Sequence, residues 1–159
     1  MKKGRAARPP NALARTEIDP RRTMLAMSTL QPPANPEKDP RIKAVFDDIR
    51  ATRKTDFINN LWRYLAFDPA LLESTWAEVK RVMATPSSLD PLTKELVYIT
   101  ASIINNCSYC VHSHTAAAKA TGMTAEQHAE LMAIVGLAAK TNQLATALQV
   151  PLDQAFDKG

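Results

Sequence analysis

Residues 95–114 read ELVYITASIINNCSYCVHSH, and the rest of the chain is best understood outward from them. The stretch holds the chain's two cysteines, Cys107 and Cys110. His114 follows Cys110 by four residues, and Glu95 precedes Cys107 by twelve. On a helix, Cys107, Cys110 and His114 stand at i, i+3 and i+7 and share a face. His114 then comes beside Cys110, within reach of its proton. A first-turn position favours a thiolate through the helix dipole, and two sulfurs at this spacing can also close a disulfide.

Asn105-Asn106 reads as a turn, because Asn tolerates the left-handed conformation. The segment before it, opened by Asp90-Pro91, is apolar nearly all round (Leu92, Leu96, Val97, Ile99, Ile103, Ile104), the pattern of a buried helix. Glu95 lies inside it, where a carboxylate must be paired or protonated. Glu95 stands about ten residues before the turn and His114 about eight after it, so at ~1.5 Å per residue they reach similar heights on a helical hairpin. A relay Glu95–His114–Cys110, direct or through water, is expected; the alternative partner for Glu95 is a buried Lys or Arg. Tyr98 and Ser102 share the Glu95 face.

Working outward, further Asp-Pro pairs at Asp39-Pro40 and Asp68-Pro69 mark helix starts, since Asp is a good N-cap and Pro is favoured at the first helical position. The first helix aligns Ile42, Val45, Phe46 and Ile49. A second is predicted from Asp56 with Phe57, Leu61, Tyr64 and Leu65 inward. A third aligns Leu72, Trp76, Val79 and Met83. Trp62 and Trp76 read as packing residues. Beyond His114, an Ala-rich helix ends at Gly122, and Thr124 with Gln127 forms a capping box. The last helix carries Leu131, Ile134, Val135 and Ala138, with a break expected near Thr141-Asn142 and a stop at Pro151. No strand alternation and no internal repeat is found. The fold class is all-α.

Length and composition fit a single domain, residues 39–159, behind a basic, Pro-rich segment, residues 1–38, expected to be disordered. Residues 1–23 hold seven Lys/Arg against two Asp/Glu (+5), which leaves thirteen against fourteen (−1) for the remainder. The basic pI therefore belongs to the tail, and no nucleic-acid partner is inferred for the domain. The tail has no apolar h-region, so it is not read as a secretory signal; an anionic tether, a transit-like segment, or an extension ahead of a start at Met24 or Met27 are the readings it allows. No apolar run is long enough to span a membrane. Two cysteines without a signal point to a reducing, cytoplasmic compartment, where a C-x-x-C is redox-active or metal-binding. A zinc site would want more ligands than the pair and His114. His112, the nearest further donor, falls on another face of the helix and reads as solvent-facing, and His128 reads as surface. No metal and no cofactor are expected.

The string E-x11-C-x-x-C-x-x-x-H made by Glu95, Cys107, Cys110 and His114 resembles the core motif of alkylhydroperoxidase D-type (AhpD-like) proteins of the carboxymuconolactone decarboxylase-like superfamily. Thr115, Ala118 and Gly122 after the histidine, Asn142, and ALQVPLD near the end look similar too, and Asp56 to Met83 resembles the front of the peroxidase-related branch. The resemblance covers residues 40–153. It implies an AhpD-like helical bundle, a homo-oligomer (trimer or hexamer), and catalytic roles for Cys110, Cys107, His114 and Glu95. The implied activity is peroxiredoxin-type reduction of a hydroperoxide, with Cys110 attacking and Cys107 resolving, or the reverse. A dithiol, thioredoxin-like or lipoyl-type reductant would reopen the disulfide. Tyr109 departs from the pattern, since the best-studied peroxidases of this type carry histidine there. A decarboxylase-like activity in the same pocket, which would not need both thiols, and a non-catalytic thiol sensor or metal-binding module are the other readings.

Overall fold

The computed structural model describes residues 28–157, so the expected disorder of residues 1–27 lies outside the described residues. Six α-helices follow one another: α1 (Pro40–Arg53), α2 (Asn60–Leu65), α3 (Pro69–Val79), α4 (Pro91–Ile104), α5 (Ser108–Ala120) and α6 (Ala125–Ala147). Short 3-10 turns lie at Pro36–Lys38 and Gln154–Asp157, and a π-helical segment, Lys80–Ala84, continues α3. No strand occurs among the described residues. The chain divides into two compact units, residues up to Glu73 and residues from Ser74 onward.

In the first unit, Asp39 caps α1 by accepting the Arg41 and Ile42 amides ahead of Pro40. With the origin so fixed, the 3.6-residue period buries Ile42, Val45, Phe46 and Ile49 together. Glu37, in the 3-10 turn just inside the expected tail, forms an ion pair with Arg50 at 2.7 Å, and Arg41 grips Glu73 with two hydrogen bonds. The second helix differs from expectation. It starts at Asn60, not Asp56, and Phe57 and Leu61 face solvent while Ile58, Trp62 and Ala66 are buried. Residues 56–59 are not helical, so the period runs from a different origin.

The second unit carries the hairpin. Asp90 caps α4 through the Thr93 amide. Asn106 takes a left-handed φ of 55° and reverses the chain into Cys107, the N-cap of α5. A Schellman motif ends α5: the Met123 amide reaches Ala118 O and the Gly122 amide Lys119 O, with Gly122 at a φ of 105°. The Thr124–Gln127 capping box opens α6. Ile99, Ala118, Met123 and Leu131 form the core, with Leu92, Leu96, Ile103 and Val135 packed against it. Two expectations fail here. α4 is not buried all round, since Val97 and Ile104 are 57% and 68% exposed. α6 runs unbroken through Thr141, whose hydroxyl donates back to Leu137 O and Ala138 O instead of interrupting the helix.

Candidate active site

α4 presents Glu95 and Tyr98, and α5 presents His114 against them. His114 Nδ1 lies 2.6 Å from Glu95 Oε2, with only 21% and 16% of the two side chains exposed. A carboxylate can only accept, so Nδ1 carries the hydrogen and Nε2 is the nitrogen left to exchange a proton. The Tyr98 ring stacks on the imidazole, centroids 3.6 Å apart and planes 21° from parallel. Glu95 and Tyr98, at i and i+3 on α4, thus hold the ring from its edge and from its face. The alternative partner for Glu95, a buried cation, is not what α4 supplies: Lys94 is buried, but its ammonium donates to Thr85 O at 2.8 Å.

The two cysteines sit at the mouth of the hairpin, both half-buried and unbridged. Cys107, as N-cap, accepts the Cys110 amide on its Sγ at 3.3 Å. A backbone N–H and the N-terminal end of the helix both face that sulfur. Burial, then a hydrogen bond toward Cys107 and its charge, push the Cys110 thiol up to about 11. The cysteines therefore differ in place: Cys107 is the N-cap, and Cys110 lies in the first turn and donates its amide to the capping sulfur. His114 and Cys110 stand four residues apart on α5, and no hydrogen bond joins them among the described residues.

A cavity of about 470 Å³ opens over the thiols, lined by Cys107, Cys110, Tyr98, Ser102 and Lys94 on the hairpin and by Val82 and Met83 from the π-helical segment. Its lining is mostly apolar. Tyr98 borders it with its hydroxyl harder to ionise than usual, because of burial first and then the charge it would meet at Cys110, Cys107 and Glu95. His112 is exposed, His128 is half-buried, and no group of three or more His, Cys, Asp or Glu among the described residues could hold a metal ion.

Lys94 is the residue that sequence reasoning passed over. Its signal was present: it shares a face with Tyr98 and Ala101, at i+4 and i+7, in a helix with few charges.

Residues 69–153 match the family model described as carboxymuconolactone decarboxylase family. The chain belongs to that family. The chain resembles the crystal structure of the alkylhydroperoxidase AhpD core from Rhodospirillum rubrum, 58% identical, with a TM-score of 0.81. That likeness covers 84% of this chain and 99% of the other. No curated protein is detectably similar. The fold is therefore the all-α AhpD-like fold, and membership supports a peroxidase-related or carboxymuconolactone decarboxylase-like role. No helix among the described residues is long and apolar enough to cross a membrane.

Proposed function

We propose that the chain is a thiol-dependent peroxidase, an oxidoreductase of the alkylhydroperoxidase type in antioxidant defence. The observation that carries this reading is the pair of free thiols on one cavity wall, with Cys107 Sγ receiving the Cys110 amide and Cys110 retaining its proton. In the cycle, the Cys107 thiolate attacks the outer peroxide oxygen of ROOH. The O–O bond breaks, Cys107 becomes a sulfenic acid, and the alkoxide takes a proton to leave as ROH. His114, held by Glu95, is the group that supplies and recovers protons across the cavity. Cys110 then loses its proton and displaces hydroxide from the sulfenic sulfur, giving the Cys107–Cys110 disulfide and water. A dithiol reduces the disulfide by exchange and is itself oxidised. This order is the reverse of the one in which Cys110 attacks, and it is supported by the place of Cys107 at the N-cap and by the raised Cys110 thiol.

The same reading includes self-association as a trimer or hexamer and residence in a reducing, cytoplasmic compartment that keeps both thiols reduced. Support for self-association comes from α6, where Ile134, Leu137, Leu144 and Leu148 fall on one stripe and are all at least half exposed. Exposed apolar area of that kind supports reading this stripe as an interface.

The test is to expose reduced protein to cumene hydroperoxide, count thiols and map peptides. One peroxide consumed per two thiols, with an intramolecular Cys107–Cys110 disulfide reopened by dihydrolipoamide, is the expected result. Thiols left unreacted, or only intermolecular disulfides, would overturn it. A decarboxylase-like activity would survive Cys107→Ser/Cys110→Ser, whereas peroxide reduction would not.

A further inference from the structure

Lys94 has no role in the cycle above, yet it is a buried cation on the wall of the redox cavity. Of its three ammonium donors, one goes to Thr85 O, the only partner it has among the described residues. Glu95, its neighbour in sequence, is engaged by His114, and Asp90, one turn back, is engaged by Thr93. The ammonium of this largely buried side chain is met by one neutral carbonyl, whereas charges taken out of water are as a rule paired. Its position aggravates this: Lys94 lies in the first turn of α4, at the positive end of the dipole, where a cation is disfavoured and an anion stabilised.

The cavity's remaining surface fits the same direction. Its wall is mostly apolar, contributed by Val82, Met83, Leu89 and Val97, and Ser102 and Asn105 are its uncharged polar members beside Tyr98. A ligand matched to it has an apolar body and a single negative group.

We infer that Lys94 forms a carboxylate subsite, so that the cavity takes organic hydroperoxides whose apolar body carries a carboxylate. The inference rests on the peroxidase reading for the reacting end of the ligand and on Lys94 alone for the charged end. The carboxylate takes the donors that Thr85 leaves over, and the bound charge orients the peroxide end toward the thiols. Thr85 closes the π-helical segment, so the same lysine ties the Val82–Met83 wall to the subsite.

The experiment separates the charged end from the chemistry. Binding of 4-isopropylbenzoate and of its neutral isostere 4-isopropylbenzamide to the reduced full-length protein is measured by calorimetry, for the wild type, Lys94→Met and Lys94→Gln. The expected result is a benzoate at least about tenfold tighter than the benzamide in the wild type, the ratio a single charge-assisted hydrogen bond gives. The ratio falls to about one in both variants. Lys94→Gln can still donate to Thr85 O, so it carries the comparison should the methionine variant not fold. A wild-type ratio of one overturns the subsite. So does a ratio unchanged in the variants: lower melting temperatures without a change in ratio would make Lys94 a prop for Thr85 and nothing more. Neither probe is a peroxide, so these outcomes stand whether or not the thiols turn over. In the second arm, cumene hydroperoxide is compared with its 4-carboxylate. Benzoate preference without consumption of either peroxide would keep the anion subsite and remove the peroxidase reading with its hydroperoxide ligand, while preference for the carboxylated peroxide supports both.

Discussion

Glu95 on α4 and His114 on α5, nineteen residues apart, meet at 2.6 Å through Oε2 and Nδ1. The pairing fixes the imidazole tautomer and leaves Nε2 as the nitrogen able to take a proton. Glu95→Gln keeps a hydrogen-bonding group at the same place but removes the negative charge that faces the imidazole. We expect the fold to survive and peroxide reduction to slow by roughly 10²-fold, the low end of general acid–base contributions. Glu95→Ala removes the acceptor altogether and should in addition destabilise the protein by about 1–3 kcal/mol. Stopped-flow thiol oxidation beside thermal melting checks both. A Gln variant with unchanged oxidation kinetics would reduce Glu95 to a structural role.

The stacking of Tyr98 on His114 gives a second, separable expectation. Tyr98→Phe keeps the ring and loses the hydroxyl, so the imidazole stays in place and oxidation of the thiols changes little. Tyr98→Leu loses the stack, worth about 0.5–1.5 kcal/mol beyond area burial, and lets the imidazole rotate away from its carboxylate. Peroxide reduction should then fall well below that of the Phe variant. The Tyr98 hydroxyl titrates above its ordinary range, so phenolate absorbance should appear at higher pH in the folded protein than in urea. Because the folded state holds that proton more tightly, its contribution to stability is present at neutral pH and lost as pH rises through the folded value.

How far the sequence reached depended on whether a local signal pinned each element's origin. Asp39-Pro40 pinned α1, and its four buried residues follow from the period. The Asn105-Asn106 turn pinned the hairpin, and the meeting of Glu95 and His114 follows from the two arm lengths. Where no cap marked the start, as before α2, the inward face was assigned one residue off, and Phe57 and Leu61 turned out exposed in place of Ile58 and Trp62. The π-helical segment after Val79 left no compositional trace, because an i→i+5 bond needs no particular residue. Exposure of Val97 and Ile104 was not legible either. Hydrophobicity says that a face must be covered, not whether the same chain covers it. That Cys107 sits at the cap and Cys110 three residues inside it was not legible either, because the spacing alone leaves the register of the helix start open.

The stripe of Ile134, Leu137, Leu144 and Leu148 on α6 yields an expectation about assembly. If self-association covers it, Leu137→Asp places a charge in the interface and should shift the mass observed by light scattering toward the monomer. The mutated residue is 62% exposed in the single chain, so folding of the protomer, read by helical circular dichroism, should be retained. An unchanged mass would mean that this stripe is not the contact.

The proton on Cys110 provides the sharpest check on the proposed order of events. Its thiol is pushed up to about 11, by burial and by its neighbour Cys107. In the reduced wild type, alkylation at neutral pH should therefore fall on Cys107, with Cys110 reacting only as pH approaches its own value. Cys107→Ala removes both the hydrogen-bond acceptor and the charge, leaving burial as the cause of the shift, so the midpoint for Cys110 alkylation should move down toward the ordinary thiol range without fully reaching it. Stability carries the same sign. A thiol that holds its proton more tightly folded than unfolded contributes fully below the ordinary thiol value, and that contribution is lost as pH rises through about 11. The loss should be smaller in Cys107→Ala. Mass spectrometry of alkylated peptides across pH decides the matter. Should Cys110 alkylate first at neutral pH, and do so equally with and without Cys107, the charge does not rest on the capping sulfur and Cys110 must be returned to the attacking role.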